Sequence, residues 1–237
     1  MHRTKPIPLN YLQIFADTPN NDQLNAQFQQ YHHDLMPFFK EKPWPNWQFR
    51  IGVTRKPGEL PSSNGATLDR QKYMFIFQVN DFNTLPYVHR ALLDSITYKN
   101  MSELVLWETQ TFASALSYNP QTIDPNFEIG SRVKYYFTMT VDLIDDQQKI
   151  IDLKNFMFNC TKDNNSQMKT DYGFTLAHAT FGQTGVMRRL YFTWVTTSKS
   201  PEPEKAAIWF ENQAAVRAVL NAPLEWSLWS PMDLSMS

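Results

Sequence analysis

The sequence predicts an α+β fold in which one six-element unit, strand–helix–strand–strand–helix–strand, occurs twice in tandem. Residues 9–118 and 132–230 each contain strand-like and helix-like patterns in that order, although their letters hardly match. Residues 119–131 contain two prolines and little periodicity, so we predict a linker there. The 237 residues are 42% hydrophobic and 14% aromatic, which is enough to build a core for both copies.

The first copy opens with an apolar, β-rich run at 9–15, and the turn-forming residues at 17–20 end it. A helix follows, because apolar residues recur at steps of four and three: Leu24, Phe28, Tyr31, Leu35 and Phe38. Residues 47–55 alternate, with Phe49, Ile51 and Val53 predicted on one face of a strand. The remaining elements are a polar loop at 56–69, a strand at 73–79, a helix with apolar positions Leu85, Val88, Leu92 and Ile96, and a strand at 104–112.

The second copy starts with a strand whose apolar residues alternate over 133–141. Asp145 and Asp146 are predicted to cap a helix, and a polar loop is predicted at 162–170. That helix has the apolar positions Ile150, Leu153, Met157 and Cys160. Strands at 172–181 and 186–197 flank the glycines of 182–185, which indicates a hairpin.

The end of the second copy has one open alternative. The Ser200-Pro201-Glu202 sequence predicts a helix start, with a cap, a proline at the first position and an acid near the positive helix end. Residues 206–221 form either one helix or a strand at 206–210 followed by a shorter helix. We favour one helix, because the two copies then agree. A closing strand is predicted at 224–228.

Composition excludes several functional classes. The net charge of −1 provides no basic face for nucleic acid. Cys160 is the single cysteine, so no internal disulfide forms, as is typical of a reducing compartment. No secretory leader follows the N-terminus, and no apolar run approaches the ~18 residues of a membrane helix. We therefore expect a cytoplasmic protein without a membrane partner.

The element order resembles two ferredoxin-like units, and hence the dimeric α+β barrel superfamily in fused, pseudo-dimeric form. Related groups are the antibiotic-biosynthesis monooxygenases, the haem-degrading monooxygenases, the EthD family and the chlorite dismutases. This resemblance implies antiparallel sheets with helices on one face, and a ligand between helices and sheet. It also implies a monomer or a homo-oligomer. Thr138, Thr140 and Thr193 alternate with bulky residues, so the second sheet face fits either another sheet or water.

Two histidines are candidates for chemistry. Period-two counting places His178 with Tyr172, Phe174 and Leu176 on the bulky face, where it is a general base, an axial haem ligand or a hydrogen-bonded core residue. His89 lies in the apolar stripe of the second helix, with the same alternatives of ligand binding and core packing.

The other candidate ligand-binding residues are Trp194, which would line a cavity, and Arg188 and Arg189, which would gate it. His32 and His33 point about 100° apart on a helix, so they do not form a metal pair, and no zinc-like spacing occurs elsewhere. We therefore predict no metal site.

Three functions remain open at the level of sequence. The first is binding, with oxidation or isomerisation, of a small apolar or aromatic molecule without an obligatory cofactor, with His178 as base or anchor. The second is a haem protein related to chlorite dismutase. The third is a non-catalytic structural or regulatory module whose pocket is filled by aromatic side chains.

Overall fold

The chain divides into two compact units, and its fold is α+β with antiparallel strand pairing, as predicted. The computed structural model describes residues 10–19, 26, 30, 48–55, 60–63, 70–79, 90, 106–112, 133–162, 167–184 and 187–231. The C-terminal unit comprises 114–231 with 1–8 and 60–65, and the N-terminal unit comprises 9–59, 66–113 and 232–237. The linker predicted at 119–131 lies outside the described residues.

The N-terminal unit contains four described strands in the order β4-β1-β3-β2, all antiparallel. They are β1 (Asn10–Pro19), β2 (Gln48–Arg55), β3 (Arg70–Val79) and β4 (Leu106–Phe112). The turn predicted at 17–20 is wrong for its first three residues, which belong to β1. Proline is tolerated there because Pro19 ends the strand, beyond the ladder with β4, which stops at Asp17.

The facing predicted for the second strand is also wrong. Between Arg50 and Val53 the β2–β3 register shifts, since three steps along β2 match two steps along β3. One extra residue therefore reverses the alternation, and Phe49 and Val53 take positions on opposite faces. The predicted helices of this unit lie outside the described residues, apart from Ala26, Gln30 and Arg90, which are helical and exposed.

The C-terminal unit has the order strand, helices, strand, strand, helices, strand. Its elements are β5 (Tyr135–Leu143), α1 (Gln147–Lys162), α2 (Gln167–Thr170), β6 (Thr175–Thr184), β7 (Met187–Thr196), α3 (Pro203–Glu211), α4 (Ala214–Arg217) and β8 (Glu225–Pro231). The sheet order is β8-β5-β7-β6, again antiparallel. In both units, the strands thus follow the order fourth, first, third, second.

The capping prediction for α1 is confirmed for one of its two candidates. The backbone N–H of Lys149 donates to Oδ1 of Asp146 at 3.1 Å, which satisfies a donor that the first helical turn leaves open. This backbone hydrogen bond is the main reason why the pKa of Asp146 lies below its ordinary value.

The loop predicted at 162–170 contains helix α2, so that prediction is wrong for 167–170. Fully buried Met168 anchors this turn of helix in the core. The turn ends at Gly173, whose φ of 69° is left-handed. The N–H groups of Gly173 and Phe174 close it by donating to the carbonyls of Lys169 and Met168 at 3.1 and 3.0 Å.

Helix α3 begins at Pro203, two residues later than the start at Pro201 that the Ser200 cap predicted. Glu202 precedes a proline and is therefore kept out of the helical region, at φ −112° and ψ 69°. The predicted pattern, a proline at the first helical position followed by an acid, is found two residues later as Pro203 and Glu204.

Residues 206–210 are helical, as favoured, but the single helix predicted at 206–221 is wrong. Gln213 is extended at φ −68° and ψ 134°, and it separates α3 from α4. The physical reason is burial. Phe210 and Val219 are both buried, whereas a straight helix would point residues nine apart in nearly opposite directions.

The hairpin between β6 and β7 is shifted from its predicted position. Gly182 lies within β6, and Thr184 pairs with Met187, so the connection is residues 185–186, which lie outside the described residues. The glycine pattern located the hairpin, but the strands continue further into it than alternation indicated.

One face of the C-terminal sheet packs against the helices, and we call it the helix face. It is formed by Phe137, Met139, Val141, Leu176, Leu190, Phe192, Trp194 and Leu228, all buried in one cluster with α1 to α4. Phe210 of α3 lies edge-on to two of these rings, at 5.2 Å from Phe192 and 6.1 Å from Trp194. Each such side chain contributes about 1.5–3 kcal/mol by leaving water.

Replacing the cap residue tests the start of α1. Asp146→Ala should lower the melting temperature by roughly 2–4 °C, because the N–H of Lys149 loses its acceptor. Asp146→Asn is the matched control, since the amide oxygen can still accept. A scan by circular dichroism that gives wild type and Asp146→Ala the same melting temperature would contradict the cap.

The pH dependence of the same variants follows from the pKa shift. The folded-state pKa of Asp146 is lowered, so its contribution is present above the unfolded value of about 3.9 and is lost as pH falls through the folded value. The stability difference between wild type and Asp146→Asn should therefore shrink below about pH 4.

Candidate functional site

The second face of the C-terminal sheet carries polar and aromatic side-chain types together, and we call it the hydroxyl face. Its positions, read from the strand registers, are Thr175, His178 and Thr180 on β6, Arg189, Tyr191, Thr193 and Val195 on β7, Tyr136, Thr138, Thr140 and Asp142 on β5, and Glu225, Ser227 and Trp229 on β8. The threonine alternation predicted from sequence is thus present.

This face does not meet water at its centre. Thr193 is only 1% exposed and Tyr191 only 6%, and Tyr136 and Trp229 are also buried. Since the helix-face residues of β7 are buried as well, this strand is covered on both sides. Polar groups buried in this way need hydrogen-bond partners, so the orientation of each buried hydroxyl on the face is set by its partner.

A transverse row of small polar residues crosses the hydroxyl face. His178 pairs with Thr193, Thr193 with Thr138, and Thr138 with Ser227. Ser62, from the segment 60–63, adds a further bridge beside Ser227. Direct cross-strand partners share a face, so the five residues form one line over the sheet.

The position of His178 in this row corrects the predicted facing. Leu176 pairs with Trp194 but His178 pairs with Thr193, so β6 contains one extra residue between these positions. This irregularity reverses the alternation, and period-two counting from Leu176 is wrong beyond it. His178 therefore occupies a hydroxyl-face position, and Trp194 lies on the helix face.

The middle of the row is held by its own hydrogen bonds. The indole Nε1–H of Trp229 donates to Oγ1 of Thr138 at 2.8 Å, and this hydroxyl donates to the carbonyl of Ser227 at 3.4 Å. The segment 60–63 is held similarly, because Ser63 N–H donates to the Trp226 carbonyl at 2.9 Å. The hydroxyl oxygen of Ser63 accepts from the Trp226 N–H at 2.8 Å.

An ion pair lies beside this row. Nε of Arg189 is 2.6 Å from Oδ1 of Asp142, and Nη2 donates to Oδ2 at 3.3 Å. The side chains are 27% and 14% exposed, so the pair is partly desolvated. Burial acts to lower the pKa of Arg189, but the neighbouring Tyr191 and the charge of Asp142 outweigh it and raise the pKa. Asp142 and Arg189 thus form a partly desolvated ion pair, and Tyr191 lies two residues from Arg189 on the same face of β7.

The structure separates the residues that sequence singled out. His178 and Arg189 share the hydroxyl face, whereas Trp194 and Arg188 alternate onto the other face of the sheet. Arg188 pairs with Leu143 and Gln183. His89 lies outside the described residues.

Trp194 is part of the packed core. It is 1% exposed and lies edge-on to Phe210, and its Nε1 has no hydrogen-bond partner among the residues that the structure describes. Its role in lining a cavity stays a prediction.

Sequence reasoning missed Asp142 and Tyr191. The available signal for Asp142 was an acid inside an alternating apolar strand, at 141–143, directly after two threonines on the same side. Tyr191 lay two residues from Arg189, which places both on one strand face once the strand is recognised. Their connection across strands depended on register, which the sequence does not reveal.

Metal-binding clusters and membrane spans are both missing from the described part of the chain. There, no group of three or more His, Cys, Asp or Glu side chains is placed to hold a metal ion. Within those same ranges, no helix combines the length and apolarity that crossing a bilayer requires.

Comparison with known proteins adds information on the fold. No protein-family model matches the chain, and no curated protein sequence matches it. A candidate chlorite dismutase matches in structure with a TM-score of 0.55 and 8% identity, over 96% of both chains. An anthrone oxidase-like protein matches with a TM-score of 0.51 and 12% identity, over 96% of this chain and 92% of that one.

The encapsulated DyP-type peroxidase of Mycobacterium smegmatis matches with a TM-score of 0.52 and 7% identity, over 96% of this chain and 94% of that one. The likeness is one of fold. The α+β fold that the predicted resemblance implies is therefore shared with these solved structures.

Breaking the ion pair tests the hydroxyl face. Asp142→Asn should lower the free energy of unfolding by about 2 kcal/mol, because the partly buried Arg189 charge loses its counter-charge. Removing both charges with Asp142→Leu and Arg189→Met should recover part of that loss. Urea denaturation gives both values.

Asp152→Asn serves as the control, because this carboxylate lies on exposed α1 and bonds only the side chain of Gln148 among the contacts described. It should change the unfolding free energy by no more than about 0.5 kcal/mol. An Asp142→Asn effect as small as that of the control would show that the pair contributes nothing.

Proposed function

We propose that the chain binds a small, largely apolar or aromatic molecule at the hydroxyl face and promotes its oxidation or isomerisation, with His178 as general base or polar anchor. The observation that carries this proposal is the extra residue in β6, which moves His178 out of the helix-face alternation and into the polar row. Bulges of this kind are frequent next to active sites, where they redirect a side chain.

The surroundings of the row support a small-molecule site. Aromatic Tyr136, Tyr191 and Trp229 are buried on the same face as hydroxyl groups, which is the mixture of apolar wall and few polar groups typical of ligand pockets. Because Asp142 neutralises Arg189, the described cation of this face is not available to a carboxylate, which favours a neutral ligand.

Fold comparison supports the choice of chemistry. The matching anthrone oxidase-like protein and DyP-type peroxidase are named for oxidative reactions, and the first is named for an aromatic ketone. Fold alone does not carry function, so this support is by analogy.

We further propose that the chain is a tandem of two ferredoxin-like units. Three parallels support it: the shared strand order, the antiparallel pairing, and one extra residue in the second strand of each unit, opposite the third strand. Independent insertion at equivalent ladders is a less economical explanation than duplication.

Haem, which the resemblance allows, fits the hydroxyl face poorly. Haem carries two propionates that need cations, whereas Asp142 occupies Arg189, and Glu225 adds a further carboxylate to the face. The positions around His178 are threonines rather than a flat apolar wall. We therefore derive no step through haem.

The non-catalytic alternative has one observation in its favour. Phe137, Phe192, Trp194 and Phe210 are all fully buried on the helix side, and their rings are in contact with aromatic neighbours. That layer is packed like an ordinary core, which argues that any site in this unit lies on the other face.

Binding and turnover of anthrone test the proposed function. Wild-type protein in air should convert anthrone and molecular oxygen to anthraquinone and water, and His178→Ala should lower this rate by about 100-fold or more, the usual contribution of a general base. Tyr135→Phe, on the helix side of the same sheet, is the control and should retain the activity. Equal rates for wild type and His178→Ala, with unchanged circular dichroism, would reject the role of His178.

Addition of haemin separates the haem alternative. We expect no sharp Soret band that depends on His178, because Asp142 already pairs with Arg189, the cation described on this face. Absorption spectra of wild type and His178→Ala with one equivalent of haemin provide the measurement. A sharp band in wild type that His178→Ala abolishes would establish haem ligation instead.

A further inference from the structure

Segment 60–63 forms a short clip along β8. It belongs to the C-terminal unit although it lies between β2 and β3 in sequence. Ser62 pairs with Ser227 in an isolated antiparallel bridge, whereas β5 and β8 pair over five consecutive positions. The clip therefore adds one bridge to β8 where β5 adds a ladder.

Three hydrogen bonds to the backbone of β8 hold the clip. The N–H of Ser63 donates to the Trp226 carbonyl at 2.9 Å, and the N–H of Leu228 donates to the Pro61 carbonyl at 3.1 Å. The N–H of Trp226 donates to Oγ of Ser63 at 2.8 Å. The two backbone bonds flank the bridge, so the two serines that form it are a non-hydrogen-bonded pair, the arrangement that brings opposing side chains closest together.

The hydroxyl of Ser62 destabilises the closed clip. Its Oγ is buried and has no hydrogen-bond partner among the residues that the structure describes, although Ser227 lies directly opposite. In a detached segment, water can bond this hydroxyl. Closing the clip therefore removes a hydrogen bond to water without replacing it, and such a loss costs free energy.

The remaining contacts of the clip are few. Leu60 is partly buried and packs against the core, whereas Pro61 and Ser63 are exposed. Few buried apolar contacts and exposed backbone hydrogen bonds are typical of segments that open locally while the rest of a domain stays folded.

We propose that segment 60–63 is a reversible clip that opens while β5 and β8 stay paired, and that the buried hydroxyl of Ser62 shifts this equilibrium toward the open state. Opening removes Ser62 from the end of the polar row. It also leaves backbone groups of Trp226 and Leu228 as an open strand edge, which is a template for pairing with an extended segment. Neither state requires the proposed function, because each is defined by main-chain pairing.

Hydrogen–deuterium exchange of backbone amides, followed by NMR, tests the opening in wild-type protein. N–H directions alternate along a strand, so the amide of Leu228 points to the clip and that of Ser227 points to β5. The protection factor of the Leu228 amide should be lower than that of Ser227 by about tenfold or more. Equal protection factors would overturn the proposal, because the clip would then open only together with the whole strand.

Two neighbouring serine variants should move this exchange in opposite directions. Ser62→Ala should raise the protection factor of the Leu228 amide by about tenfold, because the closed clip no longer buries an unpartnered hydroxyl. Ser63→Ala is the matched change and should lower the protection factor by about tenfold, because the N–H of Trp226 loses its acceptor. The Ser227 amide should keep its protection factor in both variants. A Leu228 protection factor that Ser62→Ala leaves unchanged or lowers would contradict the role of the hydroxyl.

A reversible cross-link provides a second measurement. Residues of a non-hydrogen-bonded pair have Cα atoms about 4.5 Å apart, which a disulfide can span. Ser62→Cys combined with Ser227→Cys and Cys160→Ala should therefore lock the clip when it is oxidised. The Leu228 amide should then exchange at least about tenfold more slowly than in the reduced protein. Equal exchange in the two forms would show that this amide exchanges without detachment of the clip, and the proposal would fail.

Discussion

Burial of β7 on both faces is the constraint on which the rest of the C-terminal unit depends. Every side chain with an assigned exposure from Leu190 to Thr196 is buried, whether it is apolar or carries a hydroxyl. A strand in this position cannot leave a polar atom to water, so burial costs free energy at each polar atom that lacks a partner. Alternation along the strand then forces a division: Phe192 and Trp194 serve the helix face, and Tyr191 and Thr193 serve the hydroxyl face.

This division separates stability from chemistry. The helix face gains its free energy from area removed from water and from ring contacts such as Phe137 with Phe174 at 4.7 Å. The hydroxyl face also buries the rings of Tyr136, Tyr191 and Trp229, but its polar atoms add little net free energy, because they exchange one hydrogen bond for another on folding. We place the proposed ligand site on this face because its polar groups can form hydrogen bonds to a ligand, whereas the packed rings around Phe210 offer none.

Much of this architecture was readable from the sequence, and the failures have physical causes. Alternation of apolar residues predicted β5 and β7. Asp146 predicted the start of α1, and the glycines at 182–185 predicted the hairpin, because these signals depend only on residues close together in sequence. Helix α2 and the break at Gln213 were missed because tertiary burial of Met168 and Val219 decides them. The candidate site stays a prediction: the sequence singled out His178, Arg188 and Arg189 but assigned His178 to the other face of the sheet, and Asp142 and Tyr191 lie beside Arg189 through strand register and alternation.

The extra residue in β6 shows where such prediction stops. One inserted residue reverses the facing of everything beyond it, so period-two counting is reliable only up to a bulge. The letters around Ala177 contain no glycine to announce one. Yet the ladder between β2 and β3 contains an insertion of the same size, in the strand that holds the same place in its unit. On the proposed duplication, a repeated irregularity at equivalent ladders is better evidence for an inherited feature of the unit than either irregularity would be alone, and this is the reason why the proposed site includes the position of His178.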